Sequence, residues 1–267
     1  MAWVATESLS FTARHDEADA AAAHDLLEDL ETFRAELAEL FPKTPGDIAV
    51  IVHPGTLGLS LAQPWLPLAR RAASPASRRY MAGWFSRSEI HVLSPEALDD
   101  RASPGEGSRE ALMLSPLHEY AHLAIGANNE ALPPPFNPRS FLRYLRWAWL
   151  AEGAAAELSG QTPHLRAAVA RRLHEGSPPA FPPSARDAPL LGGTLLGMLS
   201  EEAGPRAVAK LASRLHPHGA ERAIEEAFGR RLMEIEADWR ARLAGATGRS
   251  SGRRRRHLYG IEGEGAS

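Results

Sequence analysis

The stretch richest in reactive groups is Leu117-His118-Glu119-Tyr120-Ala121-His122-Leu123, which contains the pattern His-Glu-x-x-His. On a helix, residues four apart lie one turn above each other on the same face, so the His118 and His122 imidazoles can converge on one ion. Glu119, beside the first imidazole, can reach a water held at that ion without taking a coordination position itself. With the His and Glu content of this chain, about 0.04 such patterns are expected by accident, which favours a chemical reading. A plainer reading stays open, in which the helix merely carries two partly exposed histidines.

A catalytic zinc takes three protein ligands and keeps one position open, which calls for a third His, Asp or Glu. The chain has no cysteine, so disulfides and thiolate ligands are excluded and the donors must be imidazole or carboxylate. Glu152 is the candidate. It stands in Trp149-Leu150-Ala151-Glu152-Gly153-Ala154, on an otherwise apolar helical stripe of Leu145, Trp149, Glu152 and Ala156. An ionised carboxylate there is costly unless a cation meets it. Gly153 next to it allows close approach to a neighbouring helix, at the expense of helix propensity.

These residues together resemble the gluzincin group of metallopeptidases, of the peptidase MA-like type. In that group His-Glu-x-x-His is followed on a second helix by a Trp-Leu-x-Glu-Gly segment, and here 29 residues separate His122 from Glu152. The resemblance implies a zincin-like fold, zinc as cofactor, and a peptide or protein substrate. It implies His118 and His122 as first and second ligands, Glu152 as third, and Glu119 as general base. The segments Ala82-Gly83-Trp84-Phe85 and Ile90-His91-Val92-Leu93 look like the strand pair that precedes the metal helix and borders the substrate groove. Residues 192–199 and 223–239 look like the closing helices, so the likeness spans roughly residues 8–244.

The chain departs from the group in two places. Many gluzincins have a carboxylate four residues after the third ligand; Ala156 stands there, with Glu157 following. The group often shows a Tyr shortly before the Gly of a later helix, able to donate to an oxyanion, where this chain reads Pro189-Leu190-Leu191-Gly192. Tyr80, Tyr144, His164, His174, His216 and His218 then remain as candidate donors. The alternative function is a catalytically inactive zincin-like protein that binds zinc or peptide without cleaving it.

Positioning these groups requires two helices packed on a stable scaffold. Alternation over 7–14 reads as a strand, 16–41 as an amphipathic helix, and Ile48-Ala49-Val50-Ile51-Val52 as a buried strand. Residues 58–73 read as a helix interrupted at Pro64 and Pro67, and 80–93 as two short strands or one bent strand. From 106 onward the period is helical, with helices expected at 107–125, 139–159, 162–174, 188–203, 205–215, 219–227 and 229–244. Ser115-Pro116 reads as an N-cap and first turn, or else as a kink in a longer helix. Strands first and helices after predict an α+β architecture: a mostly antiparallel sheet with helices, then an all-helical part completing a cleft.

The expected organisation is an N-terminal α+β part over 1–126 with the His-Glu-x-x-His helix, a helical part over 127–244 with the third ligand, and a disordered tail over 245–267. The Pro-rich stretches 131–138 and 176–189 are connectors that could border a groove. At 267 residues with 44% hydrophobic content a substantial core is expected, and the net charge of −3 gives no reason to expect nucleic acid as a partner. Neither a secretory leader nor an apolar run of membrane-spanning length is evident, so a cytoplasmic location is expected.

Overall fold

Residues 7–14, which alternate like one strand, are the end of one arm, the turn and part of the second arm of a hairpin. The computed structural model describes residues 3–132 and 138–258. Its first strands are β1 (Trp3–Glu7) and β2 (Phe11–Asp16), joined by a turn whose Ser8 hydroxyl and Ser10 N–H both donate to the Glu31 carboxylate. The elements that follow are α1 (Ala20–Ala38), β3 (Ile48–His53), α2 (Thr56–Ala62), α3 (Trp65–Ala72), β4 (Trp84–Phe85) and β5 (Glu89–Leu93). Then come α4 (Pro95–Arg101), α5 (Ser108–Met113), α6 (Ser115–Asn128), α7 (Pro138–Leu158) and α8 (Arg166–His174). The chain closes with α9 (Gly193–Ala203), α10 (Pro205–Ala212), α11 (Ala220–Phe228) and α12 (Leu232–Leu258).

The architecture is α+β, but the expected mostly antiparallel sheet is a mixed one, in the order β1-β2-β3-β5-β4. The edge pairs β1/β2 and β4/β5 are antiparallel, while β2/β3 and β3/β5 are parallel. The reason lies in the connections: α1 joins β2 to β3, and α2 with α3 leads from β3 toward the β4/β5 pair, and helical crossovers return the chain in the same direction. One sheet face, with Phe11, Ala13, Val50, Val52 and Ile90, packs under α1 and α6. On the other side Leu93 joins a smaller cluster with Leu59, Leu66, Leu98 and Leu112.

One hydrophobic core extends from Phe11 to Leu243 and takes side chains from both sides of the expected boundary at 126. The helix expected over 107–125 is two helices, α5 and α6, separated at Leu114. Leu114 takes the N-cap place and Ser115 is already helical, so Ser115 is not the cap; its buried hydroxyl has no partner among the described residues. The backbone of α12 is helical to Leu258, thirteen residues past Gly245, where the composition sets down the start of a disordered tail. Residues 259–267 and most of the Pro-rich stretch 131–138 lie outside the described residues. Among the described residues no helix is long and apolar enough to cross a membrane.

Candidate metal centre

Helix α6 is fixed from its far side. Tyr120, two residues from both His118 and His122, points away from them and is fully buried. Its ring meets Phe11 and Phe33 edge-on at 5.2 and 6.2 Å, and its hydroxyl donates to the Pro45 carbonyl at 2.7 Å. That anchor sets the rotation of the helix, and the two histidines face α7.

There the third expected residue joins them. His118 Nε2 and His122 Nε2 are 3.1 Å apart, Glu152 Oε2 is 3.5 Å from His118 Nε2, and Glu152 Oε1 is 3.5 Å from His122 Nε2. The side chains of His118, His122 and Glu152 are 12%, 4% and 14% exposed, so His122 is buried and His118 only partly exposed. Phe85 on β4 stacks on the His122 ring at 4.5 Å and 12°. The three groups are close enough to share one metal ion.

Glu119 is buried at the same cavity of about 220 Å³ and lies against the main chain at Gly83. A Cβ at Gly83 would come within 2.6 Å of the Glu119 Oε1 atom, so this seat exists only because residue 83 has no side chain. Helix α6 thus presents the two imidazoles and the carboxyl to one space, as the pattern predicts.

Burial sets the electrostatics. It raises the Glu119 carboxyl to about 8, with Glu152 adding and His118 opposing. Burial lowers His122 to about 3, Glu152 resisting and His118 assisting. Glu152 goes the other way: burial works to raise it, but His122, His118 and the Tyr144 hydroxyl hold it at about 2. His118 ends above its ordinary value, because Glu152, Glu119 and Gln161 outweigh burial.

Tyr144, on the same helix as Glu152, donates its hydroxyl hydrogen to Glu152 Oε1. Burial and the Glu152 carboxylate push the phenol well above its ordinary range, so it stays protonated. Of the six candidate donors only Tyr144 and Tyr80 line this cavity. His164 lines another cavity, beside α8, α9 and α12, and His216 pairs with Glu226 at 3.2 Å. Gln161 was not singled out by sequence, yet it lines the site, with its NH2 donating to the Ala111 carbonyl at 2.7 Å. It stands beside His118, whose Nδ1 is buried without a hydrogen-bond partner among the described residues.

Gly153 does allow a close approach, but not to the helix that bears the histidines. A Cβ there would meet the Gly192 backbone at 2.6 Å, and one at Gly192 would meet the Trp149 carbonyl oxygen at 2.7 Å. The partner is the wide helical turn Ala188–Gly192 that leads into α9. Ala185 and Arg186, just before it, and Pro189 within it line the cavity, so the Pro-rich stretch 176–189 does border the site. Comparison of the chain with models of known protein families, with curated proteins and with solved structures finds no match.

Proposed function

We propose that this chain is a zinc-dependent peptidase with a zincin-like, gluzincin-type site. The observation that carries the reading is the convergence of His118, His122 and Glu152, from two helices, with one ligand atom from each lying within 4.8 Å of the others. Donors bound about 2.0–2.2 Å from a tetrahedral ion stand about 3.3–3.6 Å from one another, and the imidazole pair at 3.1 Å and each imidazole's nearer Glu152 oxygen at 3.5 Å are close to that spacing. Two imidazoles with one carboxylate suit zinc better than the oxygen-seeking magnesium or calcium.

When bound, zinc supplies Lewis acidity, which acidifies a water and polarises a substrate carbonyl. Glu119, at the same cavity, would take a proton from the attacking water and return it to the departing amine. Tyr144, protonated and in the same cavity, is placed to turn its O–H from Glu152 to the oxygen of the attacked carbonyl. Phe85, Phe141 and Leu145 line the cavity and restrict water to the reacting edge.

The test is elemental analysis of the purified chain together with hydrolysis of casein or a fluorogenic peptide, with and without chelator. Glu119→Gln is expected to keep its zinc and to lose at least about hundredfold in turnover. Zinc binding by a parent chain that cleaves nothing would favour the non-cleaving alternative. A chain that takes up no zinc would remove both readings.

A further inference from the structure

We propose that the face around the mouth of this cavity docks on an anionic lipid bilayer. Ten large hydrophobic side chains are exposed among the described residues. Four of them, Leu57, Leu61, Trp65 and Leu68, lie on α2 and α3, and three more, Phe141, Leu142 and Leu145, lie on the first half of α7. Helices α3 and α7 are both walls of the cavity, so five of the ten, Trp65, Leu68, Phe141, Leu142 and Leu145, stand on helices that form it, and α2 precedes α3 directly.

The charge is gathered there too. Residues 56–87 contain five arginines and no Asp or Glu, and residues 138–151 contain three arginines and no Asp or Glu. These two stretches carry +8 against −3 for the whole chain, so the remaining residues carry −11. The net charge conceals a strongly basic face. Arg71, Arg78, Arg79, Arg139, Arg143 and Arg146 are exposed on it. Apolar side chains with Trp, interleaved with basic residues, have the chemistry of a surface that sinks into the headgroup region while its guanidinium groups reach phosphate.

A bilayer fits better than the other polyanionic or apolar partners. On α2 the exposed Leu57 and Leu61 are four apart and on α3 the exposed Trp65 and Leu68 are three apart, each pair on one face of its helix, whereas Leu66 is buried and lines the cavity with Ala69. A peptide in the cavity meets the inner residues and leaves the exposed pairs in water. A nucleic acid satisfies the arginines and can stack bases on Trp65 or Phe141, but it leaves Leu57, Leu61, Leu68 and Leu142 in water. A lipid surface takes both.

The test is sedimentation of the full chain with vesicles, a readout that does not depend on hydrolysis or zinc. Vesicles of phosphatidylcholine with phosphatidylglycerol should bind it at least about tenfold better than vesicles of phosphatidylcholine alone, with the difference shrinking in high salt. The double variant Trp65→Ser and Leu68→Ser, at sites 67% and 57% exposed, should lose about tenfold or more, while Leu9→Ser, 91% exposed elsewhere, should lose nothing. Arg71→Gln with Arg143→Gln should abolish the preference for the anionic lipid. Failure to sediment with anionic vesicles would overturn the proposal, as would equal binding by the Trp65 and Leu68 variant. Tight binding of an acidic apolar peptide or an oligonucleotide without vesicle binding would assign the face to that partner instead.

Discussion

Glu119 owes its position to a missing side chain. The Gly83 Cα faces the carboxyl so closely that a methyl group there would lie 2.6 Å from Oε1 and 2.7 Å from Cγ. Gly83→Ala must push the carboxyl aside while leaving His118, His122 and Glu152 in place. The expected result is unchanged zinc content with a rate lowered roughly hundredfold, the usual cost of misplacing a reacting group by about an ångström. A Gly83→Ala chain that hydrolyses peptide at the parental rate would show that Glu119 does not need this seat. The spacing of His118, Glu119 and His122 made these residues legible in the sequence. Tyr144 was legible only as one name among six. In an uninterrupted helix, residues eight apart are rotated by about 80°, so nothing in the sequence places Tyr144 beside Glu152. The backbone leaves helical geometry at Trp147, between the two, and resets their relation.

Among the elements, the pairing of β3 with β5 brings two histidines together. His53 Nε2 lies 3.0 Å from His91 Nδ1, the rings stack at 5.3 Å and 15°, and both residues are buried. Burial, with His91 assisting, lowers His53 to about 4, whereas in the unfolded chain it keeps its ordinary value of 6.5. A depressed folded value means that the contribution to stability is present above pH 6.5 and is lost as the pH falls through about 4. Urea unfolding should therefore show a loss of about 1–2 kcal/mol across that window, after allowance for solvent near the pair. His53→Phe should flatten that part of the profile, and an unaltered profile would mean that His53 does not carry it. The sequence showed β3 as a strand and most helices to within a few residues. It did not show the sheet's mixed direction, because strand patterns identify partners poorly when the connections are helices. The break at Leu114 was legible only as one of two readings of Ser115-Pro116, since Ala111, Leu112 and Leu123 keep a helical apolar rhythm across it.

At the scale of the whole molecule, both helices that carry His118, His122 and Glu152 are rooted in the single core that extends from Phe11 to Leu243. An ion gripped by α6 and α7 then stabilises everything that unfolds with them. At an ion concentration about a hundredfold above its dissociation constant the gain is about 2.7 kcal/mol. For a chain of this size that corresponds to roughly 5–10 °C in melting temperature. Chelation should lower one cooperative calorimetric transition by that amount, and Glu152→Ala should melt at the same temperature with or without chelator. Two transitions, of which only one responds, would mean that the halves unfold separately.

The contact of Gly153 with Gly192 is peptide against peptide, with no side chain between. Side chains in a core absorb small errors by changing rotamer, but two touching main chains have no such slack. The height of Glu152 above the imidazoles is thus gauged by the thickness of the backbone itself. Exchanges among the neighbouring alanines and leucines leave that gauge alone, and the carboxylate keeps its place while its surroundings vary.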